Sequence, residues 1–206
     1  MTDLSRLLEQ TAALHNHLCP RQVLGVRIGM YAAELLGVAL PQSDKRVYAF
    51  VETDGCFADG VSVASGCWLG RRTMRLMDYG KVAATFVDTQ TERAVRIWPS
   101  ATSRTSAARY AAGGGGKWTA QLEGYQHMPA AKLLEACAVD LSVRLREIIS
   151  RPGLRVNCAV CGEEILNERE LERDGAIICM SCAGDSYWRR AVEAQRLAAP
   201  DDRPPG

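Results

Sequence analysis

Two short motifs near the end of the chain constrain it most. Cys158-Ala159-Val160-Cys161 is answered by Cys179-Met180-Ser181-Cys182, with 17 residues between the pairs. Each C-x-x-C brings two thiolates to one point. Together they offer four soft donors, the tetrahedral set that a structural zinc closes around. Gly162 supplies the permissive backbone that such a knuckle needs. Two disulfides or an iron–sulfur cluster fit the spacing less well. A zinc with four sulfur ligands keeps no open position, so it holds a module together and leaves the chemistry to other residues.

The clearest linker, Ser150-Arg151-Pro152-Gly153, directly precedes this module. It divides the chain into an expected core domain, residues 1–150, and a zinc-finger domain, residues 154–200. A chain of 206 residues can hold one good core plus such an appendage. The formal net charge is +1, which gives no global field for nucleic acid or an anionic membrane. No apolar run approaches a membrane span, and the N-terminal residues do not read as a signal peptide. Eight cysteines without an export signal point to a reducing, cytoplasmic setting where thiols bind metal or do chemistry.

Four cysteines lie outside the finger. His15-x-His17-x-Cys19 places three metal-binding or acid/base groups within five residues, at a break before a helix N-terminus. That position favours a thiolate at Cys19. Cys56 follows a strand end, with Asp59 three residues later. Cys67 follows Gly66 at the other end of the same expected helix. Lys81 precedes a strand and offers a charge partner to nearby thiolates. Cys137 reads as a core residue and His127 as a surface or capping residue.

Periodicity predicts helices over 4–14, 21–36 (capped by Gly37), 58–66, 100–112 (capped by Ser100 or Thr102) and 129–136. It predicts strands over 45–53, 82–88, 93–98 and 176–178, with the second and third joined by a hairpin at Thr89–Glu92. Residues 139–149 fit a strand and a helix equally well. A last helix is expected from Ser181 to about Leu197, then a frayed tail. Gly25 and Gly29, four apart, leave a bare stripe on the second helix that permits close backbone packing.

Several ordered segments together resemble the FmdE family, named for a component associated with molybdenum formylmethanofuran dehydrogenase. They are His15 through Pro20, Gly25 through Gly29, Glu52 through Cys56 with Asp59, Ser65 through Arg71, and Asp78 through Lys81. Cys161 through Ile165, Asn167 through Glu170 and Cys182 through Tyr187 resemble the zinc-finger extension of some members. Arg21 and Trp68 depart from the family pattern, where glycine and threonine are usual. The resemblance implies an α+β core, a treble-clef-like zinc finger, an intertwined homodimer and oxidoreductase subunits as partners. It also implies that the His-x-His-x-Cys loop, Cys56, Asp59, Cys67 and Lys81 converge on one pocket.

Two functions compete on these grounds. In the first, His17, Cys19 and Cys56 hold a second metal ion in the core. Cys67 is then a reactive thiol or fourth ligand, Asp59 a base or orienting group, and Lys81 an electrostatic stabiliser. His15 joins them as an acid/base group, and the site supports metal- or thiol-dependent activity. In the second, the protein is a regulatory or accessory zinc protein that contacts protein or nucleic acid through the finger. The basic residues Arg189, Arg190, Arg71, Arg72 and Arg75 favour this reading. The acidic Glu163, Glu164, Glu168, Glu170 and Glu172 oppose general nucleic-acid affinity.

Overall fold

The structure, a computed structural model, describes residues 3–113, 115–149 and 151–189. The chain divides into two compact units, Met1–Ile149 and Ser150–Gly206.

The first unit is a mixed helix/sheet layer. Helix α1 spans Leu4–His15 and begins at Asp3, whose carboxylate accepts from the Ser5 N–H at 3.0 Å. Helix α2 spans Pro20–Leu36 and ends at Gly37 in the left-handed conformation (φ 69°), the expected cap. Strand β1, Val47–Val51, leads into helix α3, Cys56–Ser65. Strands β2 (Met74–Leu76), β3 (Ala84–Asp88) and β4 (Ala94–Pro99) follow. A short helix α4, Ser103–Ser106, and a 3₁₀ turn, Ala107–Arg109, precede helix α5, Lys117–His127. Helix α6 (Ala130–Leu133), strand β5 (Leu134–Val139) and helix α7 (Leu145–Ile149) complete the unit.

The sheet runs β2-β1-β3-β4-β5, with β1 and β2 parallel and the other pairs antiparallel. Val47, Ala49 and Val51 turn towards the main core beneath the helices, among Val23, Val26, Phe57 and Val61. Tyr48 and Phe50 turn to the other face, where Val139, Leu141, Leu145, Ile148 and Ile149 cover them. All five β1 residues are therefore buried, although alternation alone would leave one face wet.

Residues 139–149 form the last residue of β5, a loop and α7, because their apolar groups serve as the cover of that second face. Arg72 and Arg75 of the basic stretch donate to the carbonyls of Ile149 and Ile148, at 3.0 and 2.7 Å, and so tie down the end of α7. The helix expected over 129–136 stops at Leu133, where the backbone becomes extended and pairs with β4. Cys137, on that edge strand, is exposed and not part of the core. The helix expected over 100–112 is reduced to α4 and the 3₁₀ turn. Thr102 stands at its N-cap position without a capping side-chain bond, while the Ser100 hydroxyl donates to the Lys132 carbonyl.

Arg46 clamps the outer end of β3. Its guanidinium makes two bonds to the buried Asp88, at 3.0 and 2.8 Å, and holds that carboxyl well below the usual carboxylate range. A carboxylate with a depressed folded-state pKa stabilises above its unfolded value, about 3.9, and loses that contribution as pH falls towards the folded value. Urea unfolding between pH 5 and pH 2 should show wild-type stability declining more steeply than that of Asp88→Asn. Parallel curves would refute the assignment.

The second unit holds two hairpins, β6 (Arg155–Asn157) with β7 (Glu164–Leu166) and β8 (Leu171–Arg173) with β9 (Ala176–Ile178). Its apolar centre is small: Cys158, Ile165 and Ile178 are buried. The helix expected from Ser181 is not present through Arg189, where the backbone forms turns after the second knuckle. The remainder of that segment, Arg190 included, and the tail lie outside the described residues.

Candidate functional site

Close packing of α2 on α3 builds the core site. A methyl on Gly25 would meet the Phe57 carbonyl and stand 2.8 Å from Val61 N. One on Gly60 would stand 3.0 Å from Gly25 Cα. Four residues further along, Gly29 lies against Ala64. The register advances the same way on both helices, so they run in the same direction and their N-termini end side by side. The sequence places a cysteine at each: Cys19 is the N-cap of α2 and Cys56 the first residue of α3. Both backbone N-termini, with their free N–H groups and partial positive charge, thus face one place.

Local geometry fixes each thiol. Gly55 joins β1 to Cys56 with φ 68° and ψ −151°, a conformation essentially confined to glycine. Glu52, just before it, is buried and bound by Arg96 through two bonds of 2.7 and 2.8 Å. Its carbonyl accepts from the N–H groups of Tyr79 and Lys81, at 2.9 and 3.0 Å, which lays the Lys81 loop along the end of β1. Lys81 itself is exposed. Asn16 takes the left-handed conformation (φ 56°) and turns the chain out of α1.

The histidine loop is held by a residue that spacing did not single out. Gln22 is fully buried. Its carboxamide donates to the Thr11 carbonyl at 3.1 Å and accepts from the Cys19 N–H at 2.7 Å. It thereby links α1 to the start of α2. The one available signal was its place three residues after an N-cap, where a glutamine can close a capping box.

His15 Nε2 lies 2.6 Å from Asp59 Oδ2, both groups about one-third exposed. His17 is exposed, its Nδ1 2.9 Å from the His15 carbonyl and its ring edge-on to that of His15 at 5.6 Å. The Cys56 thiol meets the Cys19 side chain, and burial with that contact pushes its pKa up. His15, Asp59, Cys19 and Cys56 are thus gathered around the paired helix starts. Cys67 lies past the other end of α3, about 15 Å away along a helix of ten residues. It is fully buried, receives a bond from Gln42 Nε2 at 3.3 Å and donates to the Val47 carbonyl at 3.3 Å. Burial pushes its thiol up as well.

The second site is the four-cysteine cluster. The sulfurs of Cys158, Cys161, Cys179 and Cys182 all lie within 4.8 Å of one another, the one such donor set of three or more among the described residues. The Cys161–Cys179 separation is 3.9 Å, against about 3.8 Å for two thiolates on a tetrahedral zinc with 2.3 Å bonds. The backbone shapes both knuckles: the N–H of Cys179 donates to the Cys158 sulfur and that of Cys182 to the Cys179 sulfur, each at 3.3 Å. Gly162 takes φ 77° to close the first turn. Backbone donors, those of Cys161 and Cys179 foremost, draw Cys158 down to about 6. The neighbouring sulfurs, Cys179 first, push Cys182 up to about 12. Four thiols this close cannot all ionise without a cation, and a divalent zinc removes the conflict.

A mixed helix/sheet domain joined to a four-cysteine zinc finger is the class of protein these features define. The family model described as "FmdE, Molybdenum formylmethanofuran dehydrogenase operon" matches residues 14–140, and the prokaryotic DksA/TraR C4-type zinc finger matches residues 152–187. The chain belongs to the FmdE family and is a metal-binding member of it with a structural zinc finger. A curated relative from Archaeoglobus fulgidus, described as a probable S-adenosyl-L-methionine-binding protein, is 32% identical over 202 residues. The match takes in 89% of this chain and 54% of the relative, so the chain spans about half the length of that protein. The crystal structure of an FmdE-like protein of tungsten formylmethanofuran dehydrogenase from Syntrophus aciditrophicus shares the fold. Its TM-score is 0.58 at 18% identity, over 91% of this chain and 96% of that one. No helix among the described residues is long and apolar enough to cross a membrane.

Proposed function

We propose that the core domain holds a second metal ion at the paired N-termini of α2 and α3 and serves in a molybdenum or tungsten formylmethanofuran dehydrogenase-type system. Cys19 and Cys56 are the soft donors, with His17 as the third ligand. The observation that carries the reading is the meeting of two cysteines at two co-directed helix starts, beside the His15–Asp59 pair. The donor chemistry suits a transition metal such as zinc, since thiolate and imidazole are its preferred ligands. Nδ1 of His17 is near the His15 carbonyl, which leaves Nε2 for coordination. A metal so held supplies a Lewis acid with a position for substrate. His15 exchanges a proton with whatever occupies that position, and Asp59 fixes its ring. Lys81 adds positive charge at the rim. Cys67, enclosed in the core, has a packing role in this scheme. The association with the dehydrogenase system is supported by the family description and the fold of the Syntrophus protein. A homodimer in the cytoplasm remains the expected assembly.

Metal analysis of the purified chain checks this. Wild type should carry more than one metal per chain, and Cys19→Ser or Cys56→Ser should lose one while keeping the finger zinc. A wild type holding only the finger zinc, with unchanged content in both variants, would sink the reading. The description of the Archaeoglobus relative, matched over 89% of this chain, makes S-adenosyl-L-methionine a second ligand to titrate against the same site. Heat on binding that disappears in Cys56→Ser would place it there. A flat titration removes it.

A further inference from the structure

We propose that Cys19 and Cys56 form a reversible disulfide across the junction of α2 and α3, making the pair a thiol–disulfide site. Three observations lead to it. The two side chains are in contact, although 37 positions separate them in sequence. Both are partly exposed, so a small reagent can reach them, whereas Cys67 is enclosed. The backbones that carry them are held together by the Gly25–Gly60 contact and by Gln22, so oxidation needs no rearrangement of the core. Contact between two accessible thiols on a rigid pair of helices is what ring closure requires.

The co-reactant is a small-molecule disulfide of the glutathione class. One thiolate of the pair attacks a sulfur of that disulfide. The reagent's S–S bond breaks, one thiol leaves with a proton, and a mixed disulfide remains. The second thiolate then attacks the protein sulfur of that mixed disulfide and expels the second small thiol. The pair loses two electrons and two protons, and the reagent becomes two thiols. His15, held by Asp59 beside the pair, is placed to take the proton from the attacking thiol. The consequence for metal occupancy rests on the reading given above: closing the bond removes both soft donors, so the oxidised protein releases the core metal.

The test uses the full chain with its finger zinc in place. Protein is equilibrated at rising ratios of oxidised to reduced glutathione, quenched in acid, alkylated and digested with pepsin, and metal content is measured on the same samples. The expected result is a peptide linking Cys19 to Cys56 and a loss of two free thiols per chain. In Cys19→Ser the link vanishes and Cys56 carries glutathione. The proposal is overturned if wild type yields only mixed disulfides, if no link forms at any ratio, or if Cys56 pairs with Cys67 or Cys137. A link that forms in protein whose reduced state carries no core metal supports the disulfide and defeats the metal reading. Core metal in the reduced protein with no link at any ratio supports the metal reading and defeats the disulfide.

Discussion

Serine in place of Cys161 should abolish zinc binding by the finger and unfold residues 151–189 while the core domain melts as before. The finger has little else to hold it. Its hairpins are three residues per strand, and its buried apolar residues are Cys158, Ile165 and Ile178. A module with so small a core does not fold on burial alone. Zinc binding to such cysteine sets contributes on the order of 10 kcal/mol to folding, and loss of one thiolate forfeits much of it. Zinc content should fall by one ion per chain, and trypsin should cut within 151–189 at a rate tens of times faster. A variant that keeps its zinc and its protease resistance would show that hairpin packing sustains the finger. Cys158, more buried and bonded to the Cys179 N–H, should be at least as sensitive.

Gly60→Ala should destabilise the core domain by about 2 kcal/mol. Two effects oppose each other. Alanine in a helix interior gains about 1 kcal/mol over glycine. Against this, the new methyl strikes the Gln22 carbonyl and lies 3.0 Å from Gly25 Cα and Val26 N. These are backbone atoms, which cannot swing aside as a side chain end would. Overpacking of this kind costs about 3 kcal/mol, the upper part of its usual range, so the clash prevails. Gly70→Ala is the control, since its methyl would meet nothing within 4 Å. It should lie within about 0.5 kcal/mol of wild type. Urea unfolding measures both. Equal stability of the two variants would mean that α2 and α3 can separate at little cost. Because the helices carry Cys19 and Cys56 at their starts, Gly60→Ala should also open the thiol pair.

The parts of this protein legible in sequence share a cause: each is specified by residues close together in the chain. The knuckles of the finger are set by C-x-x-C and Gly162. Helices α1 and α2, strands β1, β3, β4 and β9, and the Gly37 cap follow from periodicity and local backbone chemistry. The small-residue stripe at Gly25 and Gly29 announced a close approach, though not to which partner. The failures have the opposite origin. Helix α5 carries no amphipathic pattern and contains Gly124, which packs against the Ala107 carbonyl. Its last turn is closed by Arg27, which donates to the carbonyls of Tyr125, Gln126 and Met128 from about a hundred residues away. Strand β5 exists because β4 offers an edge, and so overrode the helical pattern of 129–136.

For the core site the division is sharper. The sequence by itself determined the chemistry: two histidines, two accessible cysteines and an aspartate in loops that lead into helices, and four more cysteines with zinc spacing. Tertiary structure alone decided which of them meet. Glycine contacts set α2 and α3 side by side in one direction, and this joins Cys19 to Cys56. The turn at Asn16 aims His15 at Asp59. Cys67, close to Cys56 in sequence, is carried to the opposite end of α3 because ten residues of helix separate the two by about 15 Å. Spacing along a chain fixes a site when its ligands share one turn, as in the finger. When they come from separate helices, the packing of those helices fixes it.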